Sequence, residues 1–191
     1  MNKFACILLS SCTLSACMTS TALPEHERPA NWGTVLLKEH NFYRISPMLY
    51  RSEQPSKELV PILKAQNIDV IINLRSRHID PEIVQSPEVN YVHIPIHTWQ
   101  ISRDDLLQVM QHIQQAKQKN QKVLIHCYHG SDRTGVSVAM YRIIFEGWTI
   151  EAAKQEMKHG GYGYHPIWKN IDLLLNAENV KWIQQQLLNP S

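Results

Sequence analysis

The chain has 191 residues, 43 % of them hydrophobic, with 19 Lys and Arg against 17 Asp and Glu and a formal net charge of +2. That length supports one domain with a sizeable core, and the near balance of charge excludes a strongly basic nucleic-acid surface. No group of Cys or His has zinc spacing and no repeat is evident, so neither a metal nor a cofactor is expected.

The amino terminus opens with Met1-Asn2-Lys3, a single positive charge, followed by a mostly apolar stretch over 4–14. It is too short to span a membrane and has the form of a signal peptide. Leu14-Ser15-Ala16-Cys17 resembles the box cut by the bacterial lipoprotein signal peptidase, so residues 1–16 are expected to be removed and Cys17 to become the lipid-bearing first residue. Met18, rather than an aspartate, favours the outer membrane. Cleavage removes Cys6 and Cys12 and lipidation consumes Cys17, which leaves Cys127 as the single thiol. A lone thiol has no intramolecular disulfide to make in an oxidising compartment.

Residues 17–39 contain the polar, aperiodic stretch around Pro24, Glu25, Glu27, Arg28 and Pro29 and read as lipid anchor and tether, with the folded domain over 40–191. A hairpin is expected over 41–51, a helix over 60–66 with Pro61 in its first turn, and strands over 69–74 and 89–96. Ser102-Arg103-Asp104-Asp105 reads as a cap and first-turn acids for a helix over 104–119, its apolar face carrying Leu106, Val109, Met110 and Ile113. Beyond residue 145, Thr149 caps a helix that Gly160-Gly161 stops, and Ile167, Ile171, Leu174, Leu175, Val180, Ile183 and Leu187 read as helical packing. Strands alternating with helices argue for an α/β fold, a three-layer sandwich around a central mixed sheet.

The chemistry concentrates in His126-Cys127-Tyr128-His129-Gly130-Ser131-Asp132-Arg133-Thr134-Gly135. Lys122-Val123-Leu124-Ile125 is a buried parallel strand by composition, and from Thr134 the residues Val136, Ala139, Met140, Ile143 and Ile144 recur at helical spacing. Cys127 therefore stands at a strand's carboxyl end, and the residues from Tyr128 to Arg133 wrap a helix amino terminus. Free N–H groups and the positive dipole end favour an oxyanion there. Gly130 supplies a positive φ, and Gly135 allows close approach of helix and strand. Arg133 offers a planar fork for two phosphate oxygens, and the same field favours the Cys127 thiolate as nucleophile. Thr134 is placed to donate a hydrogen bond to the sulfur.

This ten-residue string resembles the signature of cysteine-dependent protein tyrosine and dual-specificity phosphatases. Met48-Leu49-Tyr50-Arg51-Ser52-Glu53-Gln54-Pro55 and Val70-Ile71-Ile72-Asn73-Leu74-Arg75 are similar to segments of the small atypical members. Ala139-Met140-Tyr141-Arg142, Glu146-Gly147-Trp148 and Gly160-Gly161-Tyr162-Gly163 are similar to their bacterial periplasmic branch. The resemblance covers about residues 40–175. It implies a phosphocysteine intermediate on Cys127, binding of the transferred group by Arg133, and a supporting role for His126 in ordering the loop.

The resemblance also implies an aspartate that protonates the leaving oxygen, on a mobile loop that here reads His97-Thr98-Trp99-Gln100-Ile101 and has no carboxylate. Asp104 and Asp105 are claimed by helix capping. Asp132, inside the loop, is the remaining candidate, as in myotubularin-like lipid phosphatases; its other reading is an ion pair or hydrogen bond that orders the loop. His129 either filters substrates or is an exposed imidazole. His93 and His97 share a strand face without further ligands.

The expected substrate is a phosphorylated protein, with phosphotyrosine on the envelope-facing part of a membrane protein preferred. Inositol phosphates and phosphoinositides are the alternative, disfavoured because Ser131 stands where such enzymes often carry lysine. A phosphate-binding module without turnover is the alternative of another class, and rhodanese-type sulfur transfer is disfavoured by His126, Arg133 and Thr134. The expected location is the periplasmic side of a bacterial envelope membrane, held by the lipid on Cys17, with no nucleic-acid partner.

Overall fold

The computed structural model describes residues 21–77 and 80–189. The expected signal peptide and Cys17 lie outside the described residues. In chain order the elements are β1 (Thr34–Leu37), β2 (Phe42–Arg44), β3 (Leu49–Ser52), α1 (Val60–Ala65), β4 (Val70–Asn73), α2 (Asp80–Val84), β5 (Asn90–His93), α3 (Arg103–Gln118), β6 (Val123–His126), α4 (Asp132–Glu146), α5 (Ile150–His159), α6 (Lys169–Leu174) and α7 (Ala177–Leu188).

The strands form one mixed sheet in the order β1-β2-β3-β6-β4-β5, antiparallel through β3 and parallel from β3 to β5. Strand alternation divides its side chains between two cores. Leu49, Val70, Ile72, Val123 and Ile125 face the larger helical layer, which includes α3, α4, α5 and α7. Phe42, Tyr50, Ile71 and Leu124 face the smaller layer with Leu59, Leu63 and Val84. This is the three-layer sandwich expected from the alternation of elements. The parallel strands are in step, with His126 level with Ser52, Asn73 and, one strand further, His93. Whatever follows β6 therefore emerges at the carboxyl edge of the sheet, between the ends of β3 and β4, a place where α/β sheets commonly carry ligands.

The cap expected for α3 is a reciprocal box. Ser102 Oγ accepts from Asp105 N at 3.3 Å and Asp105 Oδ2 accepts from Ser102 N at 2.8 Å, so Asp105 is committed to the helix end. Helices α4 and α2 differ from the sequence-based reading. Helix α4 starts at Asp132, two residues early, and is buried without a break from Thr134 to Ile143 rather than along one stripe. It packs against α3, α5, α6, α7 and the sheet, which leaves no solvent face over that span. Helix α2 has no periodic signal in its five residues, and its role is to carry Asp80 inward.

The described part of the expected tether is packed. Strand β1 pairs with β2, Leu23 N donates to His159 O at 2.9 Å, and Thr21 Oγ1 donates to Lys158 O at 2.8 Å. Gly33 N donates to Glu156 Oε1 at 2.7 Å. The sheet thus begins at Thr34, ahead of residue 40. Glu156, buried, also takes both forks of Arg142 at 2.8 Å, while Arg142 Nη2 donates to Asn31 O at 3.1 Å. This buried ion pair ties the amino-terminal segment to α4 and α5.

Candidate active site

The loop from Tyr128 to Ser131 is shaped by donors that hold its carbonyls from outside. Gln54 N donates to Tyr128 O at 3.1 Å and Asn41 Nδ2 to His129 O at 2.8 Å. Arg51 Nη2 donates to Gly130 O and, at 3.4 Å, to Ser131 O. With the carbonyls engaged outward, none of the N–H groups of residues 128–133 has a protein acceptor among the described residues. Convergent, unpaired N–H groups at a helix start make an anion cradle. Gly130 has φ +71°, and a Cβ there would lie 2.3 Å from Ser52 O, so both its conformation and the closeness of β3 require glycine. Gly135 has a different role from the expected one: a Cβ there would meet Met157 at 3.2 Å, so it sets the approach of α4 to α5 rather than to a strand.

Arg51 is the residue that sequence reasoning passed over. It is fully buried behind the loop, with its guanidinium 3.9 Å from the centre of the Tyr162 ring. Its Nε and Nη1 meet no acceptor among the described residues, and the aromatic face takes that place. Burial lowers its pKa, and Tyr162, Glu156 and Cys127 pull it back up. A guanidinium remains charged under such opposition, so a fixed positive charge sits beneath the cysteine.

Cys127 is only 3 % exposed and is a free thiol. His126, fully buried, lies with Nδ1 3.2 Å from Cys127 O and Nε2 3.1 Å from Asp80 Oδ2. A carbonyl only accepts, so Nδ1 carries hydrogen and the ring is locked on both sides. The expected Thr134–sulfur hydrogen bond is not made: the buried Thr134 hydroxyl has no partner among the described residues. Arg133 Nη1 donates to Leu74 O at 3.0 Å and Ile96 O at 2.9 Å, fixing the guanidinium between the chain segments after β4 and β5. Its Nε and Nη2 have no protein acceptor among the described residues, so one edge of the fork is available to a ligand.

A cavity of about 320 Å³ opens over the thiol, lined by Thr98, Cys127, His129, Asp132, Arg133, His165, Ile167 and Trp168. Four of these eight, Thr98, His165, Ile167 and Trp168, come from outside the expected site. Ile167 is 79 % exposed and forms a wall of the opening instead of core, and Trp168 stands beside it. Thr98 represents the loop after β5, which is held to α6 by Asn170 Nδ2 on Thr98 O at 2.8 Å. His97 stacks on Trp99, and His93 Nε2 lies 2.8 Å from Arg75 O, so the two histidines have separate neighbours. Tyr128 points outward, 55 % exposed, with its ring against His129 and 5.2 Å from the Arg75 guanidinium.

Asp132 does not stand alone. Its Oδ1 accepts from His165 N at 2.9 Å and its Oδ2 lies 2.8 Å from His165 Nδ1. The turn over 160–165 is pressed against the loop elsewhere too. A Cβ at Gly163 (φ +77°) would lie 2.9 Å from Ser131 Oγ, and Asn41 Nδ2 donates to Tyr162 O at 3.0 Å. The Gly160-Gly161-Tyr162-Gly163 motif therefore forms a side wall of the loop. The only sequence signal for this was its glycine density.

Comparison with known proteins agrees with this geometry. Residues 49–181 match the family "dual specificity phosphatase, catalytic domain". The dual specificity protein phosphatases TpbA of two Pseudomonas aeruginosa strains are 30 % and 31 % identical, over 85 % and 88 % of this chain and 73 % and 75 % of theirs. The crystal structure of P. aeruginosa TpbA, a cysteine-to-serine variant in complex with phosphotyrosine, superimposes with a TM-score of 0.77 at 29 % identity, covering 85 % of this chain and 99 % of that one. A more distant structure, that of PTPMT1, has a TM-score of 0.61 at 18 % identity over 77 % of this chain and 98 % of its own, a likeness of fold. The chain belongs to the dual-specificity phosphatase family and is a cysteine-dependent phosphatase of the protein-tyrosine and dual-specificity class.

Proposed function

We propose that the chain hydrolyses phosphotyrosine on protein substrates through a phosphocysteine on Cys127. The thiolate attacks phosphorus in line with the ester oxygen, and the free edge of Arg133 holds two of the transferring oxygens. The N–H groups of Tyr128, His129, Gly130, Ser131, Asp132 and Arg133 take the charge that develops on them. His126, clamped by Asp80, keeps the cysteine peptide in place, and the unpartnered Thr134 hydroxyl is available to the sulfur. Leaving-group protonation falls to the carboxyl-bearing wall of the cavity, where Asp132 and His165 meet.

The observation that carries the phosphotyrosine reading is the shape of the opening. The thiol lies at the bottom of a cavity whose outer walls are Trp168 and the exposed Ile167, and whose only carboxylate among the described residues is Asp132. A flat aromatic ester reaches such a floor while its ring meets apolar walls. A polyphosphorylated inositol ring would bring several anions past an aspartate, with Arg133 the one arginine among the described lining residues, so the inositol phosphate alternative fits less well. TpbA's complex with phosphotyrosine lends the same support by similarity.

Location belongs to the same proposal. The lipoprotein box ending at Cys17 supports a position on the periplasmic side of a bacterial envelope membrane, the outer one favoured, facing phosphorylated parts of membrane proteins. Among the described residues no helix is long and apolar enough to cross a membrane, and none is needed for a lipid anchor. Thr21 is already bonded to α5, four residues after Cys17, so the body would sit within about 14 Å of the lipid. Labelling with a palmitate analogue in cells, lost in Cys17→Ala, tests the anchor. Phosphate release from p-nitrophenyl phosphate and a phosphotyrosine peptide, beside Cys127→Ser, tests the chemistry. Stoichiometric binding of the peptide without release by the wild type would favour the binding-module reading instead.

A further inference from the structure

Asp132 was the sequence's candidate for the proton donor, but its surroundings direct its proton away from substrate. Oδ1 is engaged by the backbone N–H of His165 and Oδ2 by the ring Nδ1. A proton on Oδ2 would lie along the line to Nδ1, inside the pair. The aspartate side chain is 12 % exposed, whereas the imidazole is 39 % exposed and lines the cavity shared with Cys127 and Arg133. Nδ1 is held by the carboxylate, and Nε2 has no protein partner among the described residues. A histidine fixed in this way presents one nitrogen with a defined protonation role, the tautomer being set by the bond at the other.

We propose that His165, through Nε2, donates the proton to the leaving oxygen, and that Asp132 is a positioning residue for it. This rests on Cys127 being the nucleophile. In the first step the S–P bond forms as the P–O bond breaks. The departing oxygen keeps the bonding pair and takes the proton from Nε2, whose N–H electrons stay on the ring. The imidazole is then neutral, with Nδ1–H still on Asp132. In the second step Nε2 accepts a proton from water as the water oxygen bonds to phosphorus, and the S–P pair returns to sulfur as thiolate. Water is the only co-reactant, and the imidazolium is regenerated.

The absence of a carboxylate from the loop over 97–101 has a physical counterpart in this arrangement. The donor is supplied instead by a turn that Gly163 lets close onto Ser131. The residue before His165 is Tyr164 and the one after is Pro166, so the imidazole sits on a short turn ahead of α6.

The test separates an acid from a scaffold by leaving group. His165→Asn keeps an amide donor for Asp132 but has no proton to give. The expected result is a loss in kcat/KM of about 10²- to 10⁴-fold for phenyl phosphate and the phosphotyrosine peptide, whose leaving groups need a proton. Loss for 2,4-dinitrophenyl phosphate, whose leaving group does not, should be under about threefold by the same reasoning. Asp132→Asn should shift the same ratio in the same direction by a smaller factor, since the ring remains but is less firmly oriented. An unchanged leaving-group dependence in His165→Asn, or equal losses on both substrates, would overturn the assignment. So would a larger change of that ratio in Asp132→Asn than in His165→Asn, which would return the acid role to the carboxyl. Turnover surviving in Cys127→Ser would instead refute the underlying nucleophile reading.

Discussion

Gly130→Ala is the substitution for which the structure gives the sharpest expectation. The new Cβ would stand 2.3 Å from Ser52 O, 2.5 Å from Ser52 C and 2.7 Å from Glu53 N, all backbone atoms. Ser52 ends β3, which is paired on both sides, to β2 and to β6, so it has little freedom to retreat. A non-glycine residue at φ +71° costs about 1–2 kcal/mol. Forcing a methyl into a packed backbone contact adds roughly 1–3 kcal/mol. The variant should therefore lose about 2–5 kcal/mol in urea unfolding, or relieve the clash by turning the Gly130 peptide. In the second case the Arg51 bond to Gly130 O goes, the outward set of carbonyls is broken, and vanadate affinity falls at least about tenfold, the equivalent of 1.4 kcal/mol. Urea midpoints measured with and without saturating vanadate distinguish the two routes. A Gly130→Ala protein within about 1 kcal/mol of wild type in stability, with vanadate affinity unchanged, would refute the packing argument.

Three further outcomes follow from buried polar groups. Asp80→Ala removes one partner of the fully buried pair with His126 and should cost roughly 3–5 kcal/mol, read by urea unfolding; a loss below about 1 kcal/mol would mean the pair does not hold the loop. Glu156→Ala leaves Arg142 with Glu146 as its remaining carboxylate and Gly33 N without its carboxylate acceptor, so a loss of about 1.5–3 kcal/mol is expected, with faster proteolysis before residue 34; unchanged proteolysis would mean that segment is held by other contacts. Burial alone lowers the pKa of His112 on α3 below its usual 6.5. The unfolded chain then binds the extra proton first, so this contribution to stability is present above about 6.5 and is lost as pH falls below it. His112→Gln should therefore gain on wild type between pH 7.5 and 5.5 in thermal melts, and a constant difference would contradict the sign.

Local features were legible because local physics decides them. The Ser102–Asp105 box, Pro61 in the first turn of α1, the β6–loop–α4 unit and the positive φ of Gly130 each depend on residues within a few positions. Asp132 against His165 and Arg51 against Gly130 are separated by 33 and 79 residues, and no periodicity reports such meetings. Arg51 sits in Leu49-Tyr50-Arg51-Ser52, where an arginine ordinarily signals a solvent face; all four residues are buried because β3 is an inner strand beneath a helix. Strand β1 was hidden by its polar approach, since Glu25, Glu27 and Arg28 look like linker while Gly33 and Asn31 are claimed by a buried ion pair. Ile167 misled for the opposite reason: its helical spacing is real, but it falls at the mouth of the cavity.

Rapid acid quench during turnover of a ³²P-labelled phosphotyrosine peptide, followed by peptide mapping, decides whether the cradle carries phosphate on Cys127. Acid-trapped label is expected on the peptide containing Cys127, formed no more slowly than turnover and absent in Cys127→Ser. Turnover with no label on that peptide, or label persisting in Cys127→Ser, would contradict it.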